Sequence, residues 1–149
     1  RNIRIEMVSK LRDEPVTSDP LRVQQVLLNL IGNAIKFTEQ GEVLVHVEKN
    51  PADSAKVSIR ITDTGCGIAA ENQEKVFEMF VQGDDSVTRR FGGTGLGLAL
   101  SRKLARALGG DVQIVKSEPG IGTEMEFQFQ SQHDHVFRKK PLLSAKALE

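Results

Sequence analysis

The chain has 149 residues, of which 39% are hydrophobic and 27% charged, and this size and composition indicate one globular domain with its own core. Its 20 basic and 20 acidic side chains cancel at pH 7, which argues against binding to nucleic acid or to an anionic membrane, since either requires a basic excess. No apolar run reaches the length of a membrane span, and the first residues given show no signal-peptide pattern. The single cysteine, Cys66, cannot form an internal disulfide, so a reducing cytoplasm is expected.

The first part of the chain predicts a strand followed by a helix. Apolar and polar residues alternate from Ile3 to Val8, which is typical of a strand. Asp19 is a good N-cap and Pro20 suits the first helical position, so a helix is expected from there to about Thr38. The apolar side of this helix is predicted to consist of Val23, Leu27, Leu30, Ile31 and Ala34.

The middle of the chain predicts a hairpin, a short helix and a loop. Residues 43–48 and 57–63 alternate in the manner of strands, and turn-forming residues 50–53 lie between them. Residues 70–80 are predicted to form a short helix. Residues 81–91 are polar with no apolar period, which predicts a mobile loop.

The last part predicts a helix, two strands and a tail. The helix is expected from Gly95 to Leu108, and residues 112–115 and 125–129 read as strands around a glycine-rich turn. Periodicity stops at residue 131, so residues 131–149 are expected to be a linker or a disordered tail. The leucines predicted on one side of the helix are Leu96, Leu100, Leu104 and Leu108. The resulting fold class is α+β, with a mixed, mostly antiparallel sheet and its helices on one face.

The first helix carries an unusual polar stripe opposite its apolar side. Asn is a mediocre helix former, yet Asn29 and Asn33 stand four residues apart, in line with Lys36. Amide oxygens suit a hard cation and an ammonium group suits phosphate. Considered alone, the stripe fits an amide-rich solvent face equally well. Its members are Arg22, Gln25, Asn29, Asn33 and Lys36.

Two glycine-containing segments suggest ligand contacts. Asp63 ends a predicted strand and precedes Gly65 and Gly67, which allow close backbone approach, although an Asx turn explains this spacing on its own. The segment from Gly92 to Leu98 opens a helix, and N–H groups at a helix N-terminus bind anions, while a flexible hinge is the alternative. The first segment also matches the G-x-G-x-x-A dinucleotide fingerprint, but only weakly, because the expected second parallel strand is missing.

Four motifs follow one another in the order of a known family. They are the Asn helix LLNLIGNAIKFT, Asp63-Thr64-Gly65-Cys66-Gly67, Phe77-Glu78-Met79-Phe80 and Gly92-Gly93-Thr94-Gly95-Leu96-Gly97-Leu98. In this order and spacing they resemble the ATP-binding catalytic domain of two-component sensor histidine kinases. The resemblance covers about Ile3 to Gln130, so residues 1–130 are expected to form that domain, and it implies the two-layer α/β sandwich called the Bergerat fold.

The resemblance implies a role for individual residues. Asp63 would accept a hydrogen bond from the adenine amine, Asn33 would ligate Mg²⁺, and Asn29, Lys36 and Arg89 would act on the transferring phosphoryl group. Phe77 and Phe80 would couple the glycine lid to a neighbouring domain, although ordinary core packing explains them too. The expected nucleotide contacts are Asn33, Lys36, Phe37, Asp63, Gly65, Gly67, Ile68, Arg89, Arg90, Gly93, Thr94, Gly95, Leu96, Gly97 and Thr123.

The resemblance also implies the reaction and its partners. Related gyrase and heat-shock-chaperone ATPases hold a water-activating Glu at the helical position of Asn29, and Asn cannot act as a general base, which favours phosphoryl transfer over hydrolysis. ATP and Mg²⁺ are the expected ligands. The expected acceptor is a histidine on a helical dimerisation domain that would precede Arg1, and a response regulator would follow in the relay. No nucleic acid or direct membrane contact is expected of this domain, although the full-length protein could be membrane-anchored. A nucleotide sensor without transfer and a serine-kinase or ATPase member of the superfamily are the alternatives.

Overall fold

The computed structural model describes residues 2–11, 15–78 and 97–131 of the chain. The predicted loop at residues 81–91 and the predicted tail after Ser131 lie outside the described residues. Two α-helices are described, α1 (Pro20–Lys36) and α2 (Gly97–Ala107). The strands are β1 (Asn2–Ser9), β2 (Gln40–Lys49), β3 (Lys56–Asp63), β4 (Asp111–Glu118) and β5 (Gly122–Gln130).

The strands form one mixed sheet in the order β1-β2-β3-β5-β4. Only the pairing of β1 with β2 is parallel, and the other three pairings are antiparallel. Both helices lie on one face, where α1 packs on β3 and α2 packs on β4 and β5. The predicted α+β class, the two-layer sandwich and the mostly antiparallel sheet are therefore confirmed.

The core lies between this sheet face and the helices, and α1 is rotated slightly from the predicted orientation. Leu30 and Ala34 are buried as predicted, but Val26, absent from the predicted set, is fully buried. Val23, Leu27 and Ile31 pack only partly against the core. Their outer sides line an open groove of about 450 Å³ along the helix.

The burial of α2 also differs from the prediction. The buried side is made by Ala99, Ser101 and Ala105, whereas Leu100 is 44% exposed. Small residues at the buried positions allow α2 to lie close to α1, so the leucine stripe predicted from Leu100 was wrong at that position. Leu108 is buried as predicted.

The helix predicted at residues 70–80 is not an α-helix in its described part. Two single-turn 3₁₀ helices, Ala70–Asn72 and Lys75–Phe77, replace it, and their backbone N–H groups bond to carbonyls three residues back. The turn between them contains Gln73, whose side-chain amide bonds to carbonyls outside this segment. These non-local bonds fix the segment in a tighter form than an α-helix.

No described helix combines the length and the hydropathy that crossing a bilayer requires.

Candidate functional site

Asp63 lies at the last position of β3, directly opposite Thr123 of β5. Its Oδ1 accepts a hydrogen bond from the Gly65 N–H at 2.9 Å, so the local Asx turn that the spacing allows is present. Burial raises the pKa of Asp63 above its ordinary value, and hydrogen bonds from the backbone of Gly65 and Thr123 oppose part of that rise. The site therefore holds a carboxylate that has lost water and gains from any further donor.

The glycines after Asp63 bring the turn into close contact with its neighbours. A Cβ on Gly65 would lie 2.5 Å from the Phe37 carbonyl oxygen at the end of α1. Gly67 has a φ of +74°, and its Cβ would lie 2.1 Å from the Glu118 carbonyl oxygen. The Phe37 carbonyl also accepts a hydrogen bond from the Cys66 N–H at 3.2 Å. The end of α1 and the Asp63 turn are thus joined through backbone atoms.

Asn29 joins α1 to the beginning of the described part of α2. Its Nδ2 donates to the Gly97 carbonyl oxygen at 2.5 Å and to the Ser101 hydroxyl at 2.7 Å. A Cβ on Gly97 would lie 2.7 Å from the Asn29 Oδ1, so a larger residue would displace this amide. With both amide hydrogens engaged, the side-chain oxygen of Asn29 remains as its acceptor.

Asn33, Lys36 and Phe37 lie at the end of α1 and are each partly exposed. The Asn33 carbonyl accepts the Phe37 N–H at 2.9 Å, a bond that extends α1 to its C-cap, Phe37. The Lys36 Nζ lies 5.8 Å from the centre of the Phe37 ring. A half-exposed amide and an ammonium therefore stand within one turn of the Asp63 loop.

Cys66 belongs to this loop, and the surroundings keep its thiol in the protonated form. Partial loss of water around the thiol and the nearby charge of Asp63 both raise the pKa of Cys66. The residue is exposed, but because the thiolate is the reactive form, the raised pKa argues against a redox role.

Ser117 and Gln73, which the motifs did not include, contact the far side of the same loop. The Ser117 hydroxyl accepts the Ile68 N–H at 2.8 Å and lies 2.7 Å from the Thr123 hydroxyl. The Gln73 amide donates to the carbonyl oxygens of Ile68 and Ser117 at 3.1 and 3.2 Å. Ser117 lies 49 residues after Ile68 and 44 residues after Gln73 in the sequence, so local sequence patterns carry no signal for these contacts.

Phe77 makes a defined contact with α2. The Arg102 guanidinium stacks over its ring at 3.5 Å from the centroid, and the Arg102 Nε donates to the Val112 carbonyl oxygen at 3.1 Å. The ring also packs against the core. The ordinary packing alternative for Phe77 is therefore observed, while the expected coupling to a neighbouring domain stays a prediction.

The described residues bring three predicted segments together. Asn29, Asn33, Lys36 and Phe37 on α1, the turn from Asp63 to Ile68, Thr123 on β5 and Gly97 of α2 surround one end of the sheet. The remaining predicted site residues lie outside the described residues: Phe80, Arg89, Arg90, Gly93, Thr94, Gly95 and Leu96.

Comparison with known proteins gives consistent results. Residues 18–133 match the family described as "Histidine kinase-, DNA gyrase B-, and HSP90-like ATPase". The signal transduction histidine-protein kinase BarA of Escherichia coli K12 is 47% identical over 114 residues, which are 75% of this chain and 12% of BarA. The sensor histidine kinase AruS of Pseudomonas aeruginosa is 50% identical over 110 residues, 72% of this chain and 11% of AruS. The chain thus spans a small part of these relatives.

Solved structures show the same similarity. Full-length ShkA, crystallised with AMPPNP, superposes with a TM-score of 0.73 at 36% identity, over 87% of this chain and 26% of ShkA. The nucleotide-free catalytic domain of the histidine kinase ThkA gives a TM-score of 0.71 at 30% identity, over 87% of this chain and 80% of the ThkA domain.

Proposed function

Because the chain belongs to the family of histidine kinase-, DNA gyrase B- and HSP90-like ATPases, as the catalytic domain of a sensor histidine kinase, we propose that it binds Mg-ATP and donates the γ-phosphoryl group to a histidine. The acceptor histidine would lie on a separate helical dimerisation domain, and a response regulator would receive the phosphoryl group next. The proposed catalytic domain comprises residues 1–130.

The observation that carries the proposal is the joining of α1, the Asp63 turn and α2 at one end of the sheet. Hydrogen bonds from Cys66 to Phe37 and from Asn29 to Gly97 hold the three segments in contact. A nucleotide needs an acceptor for its base and polar groups for its phosphates on one surface. The three segments supply these groups.

Asp63 is proposed to recognise the base. A partly dehydrated carboxylate accepts strongly from an amine, because its hydrogen bond is charge-assisted and its competing water is reduced. Adenine offers an amine in the position where guanine offers a carbonyl oxygen. The carboxylate therefore favours adenine over guanine.

Asn33 and Lys36 are proposed to hold the metal and the phosphates. Mg²⁺ takes oxygen ligands and uses few from protein when a phosphate chain and water complete its shell. A single amide oxygen on α1 fits this habit. Among the described residues no group of three His, Cys, Asp or Glu side chains could hold a metal ion. In this proposal the ion is held by Asn33 together with the phosphates of the nucleotide. When bound, it would neutralise charge on the transferring group.

The contacts of Asn29 favour transfer over hydrolysis. An amide cannot take a proton from water, and both hydrogens of this amide already bond to Gly97 and Ser101. We assign Asn29 to hold α2 against α1 at Gly97. The ATPase alternative lacks a base at this position.

The test is transfer to an acceptor supplied in trans. With radiolabelled ATP, this chain alone should form no acid-labile phosphohistidine. A cognate acceptor domain should become labelled when it is added, at a low rate because no tether raises its effective concentration.

Two controls separate the alternatives. Label on His46, His133 or His135 would show that the chain phosphorylates itself, against the proposed division of roles. His46 lies on β2, with its Nε2 3.5 Å from a Glu48 oxygen. Normal ATP binding with an unlabelled acceptor would favour a nucleotide sensor, and release of free phosphate without an acceptor would favour the ATPase.

A further inference from the structure

Ile68 is the point where side chains from other parts of the chain hold the Asp63 turn. Its N–H donates to the Ser117 hydroxyl at 2.8 Å, and its carbonyl oxygen accepts from the Gln73 amide at 3.1 Å. The same amide donates to the Ser117 carbonyl oxygen at 3.2 Å. The Ser117 and Gln73 side chains therefore satisfy both backbone polar groups of Ile68, and the Gln73 side chain is itself bonded to the backbone of Ser117.

The Ser117 hydroxyl also holds the hydroxyl of Thr123. Their oxygen atoms lie 2.7 Å apart, in a hydrogen bond for which either hydroxyl can be the donor. The Gly122 carbonyl oxygen, 3.3 Å from the Ser117 oxygen, can only accept. Whichever hydroxyl donates to the other, the Thr123 side chain, opposite Asp63 in the sheet, is held by Ser117.

The other bonds of the turn do not depend on these side chains. Cys66 is fixed by backbone bonds alone, to the Phe37 carbonyl at 3.2 Å and from the Gly120 N–H at 2.8 Å. Loss of the Ser117 side chain should therefore release Ile68 and Thr123, and loss of the Gln73 side chain should release the Ile68 carbonyl, while the turn at Cys66 stays in place. The effect should be local to the turn after Asp63 and to Thr123, its partner on β5.

We propose that Ser117 and Gln73 are positioning residues for adenine, because together they fix Ile68 in the turn that follows Asp63 and the Thr123 hydroxyl opposite Asp63 in the sheet. The inference rests on the proposed ATP binding and extends it to residues outside the four motifs. Neither residue needs to touch the nucleotide. Each acts through the groups it holds.

The experiment measures binding of Mg-ATP and Mg-GTP by calorimetry to the whole chain and its variants. Ser117→Ala and Gln73→Met should each weaken ATP binding about 3- to 10-fold, the factor that one neutral hydrogen bond corresponds to. GTP binding should change less, because guanine does not use the carboxylate, so the ratio of the two affinities should fall. Ser117→Thr keeps the hydroxyl and should restore the ratio.

Ser58→Ala is the matched control. Ser58 lies on β3 and is buried, whereas Ser117 is half-buried, and the Ser58 hydroxyl donates to a Glu126 oxygen at 2.5 Å and not to the Asp63 turn. It should lower the unfolding temperature without changing the ATP-to-GTP ratio. If Ser117→Ala and Gln73→Met lower the unfolding temperature but keep the parent ratio, their role is only structural and the inference is overturned. If the parent itself does not bind ATP, the proposed function fails first.

Discussion

Replacing Asp63 with Asn should separate recognition of adenine from stability of the fold. The new side chain has nearly the same shape and keeps an oxygen that can accept the Gly65 N–H, now 2.9 Å from the carboxylate. It removes the negative charge and places an NH₂ group where the second carboxylate oxygen was. An adenine amine then meets a donor instead of an acceptor.

The size of the effect follows from the bond that is lost. A hydrogen bond to a charged group contributes about 1.5–3 kcal/mol, so ATP should bind about 10- to 100-fold more weakly. The guanine carbonyl can accept from the new NH₂ group, so GTP binding should hold or improve. Calorimetry with both nucleotides measures this. Unchanged ATP affinity would refute the assignment of Asp63 to the base.

The fold itself should not be weakened by the same change. Burial raises the pKa of Asp63, so the folded state binds the proton more tightly than the unfolded chain does. The stabilising contribution of Asp63 to the free energy of unfolding is therefore fully present when the pH is below 3.8, its ordinary pKa, and is lost as the pH rises through its raised pKa in the folded state. At pH 7 the ionised carboxylate is a cost that Asp63→Asn removes.

Denaturant unfolding from pH 4 to 7 without nucleotide tests this sign. The variant should be at least as stable as the parent at pH 7, and the decline of its stability with rising pH should be smaller. Asp53→Asn makes the same chemical change in the turn at the other end of β3 and should alter neither nucleotide affinity. A variant clearly less stable at pH 7 would show that the backbone bonds to the carboxylate outweigh its dehydration.

Two further substitutions test the turn and the metal. Gly67→Ala should destabilise the protein by about 1–3 kcal/mol in thermal unfolding, because Gly67 has a positive φ and an added Cβ would meet the Glu118 carbonyl. Gly120→Ala, also at positive φ but with open space around it, should cost less, and equal losses would show that the contact with Glu118 is unimportant. Asn33→Ala should abolish the magnesium dependence of ATP binding, whereas Asn29→Ala should retain it; a magnesium titration of Asn33→Ala that matches the parent would place the metal elsewhere.

The strands and the first helix could be predicted because short-range patterns determine them. The alternation that ends at Asp63 sets the end of β3, and the Asp19 side chain caps α1 by accepting the Arg22 N–H at 3.3 Å, as its sequence position predicts. Both signals act within a few residues. The positions of Asp63 and Asn33 relative to one another then follow from the layered fold that the motif order implies.

The features that were missed depend on partners far away in sequence. Gln73 bonds to a carbonyl 44 residues away, which favours 3₁₀ turns in a segment whose composition suits an α-helix. Leu100 was assigned to the core by its period, but the close approach of α2 to α1 requires small residues there, such as Ala105 and Ser101. Ser117 carries no motif at all, because its role comes from the pairing of β4 with β5.

The turn between β2 and β3 lies at the end of the sheet remote from Asp63. β3 has eight residues, so at 3.3 Å per residue the two ends are roughly 25 Å apart. The turn is closed by its own bonds, from Ala52 and Asp53 to the Asn50 side chain, and Ser54 is exposed. A cysteine introduced by Ser54→Cys, with Cys66 replaced by serine so that it is the single thiol, would therefore attach a dye or a surface tether at this turn and leave the Asp63 end of the sheet open to solution.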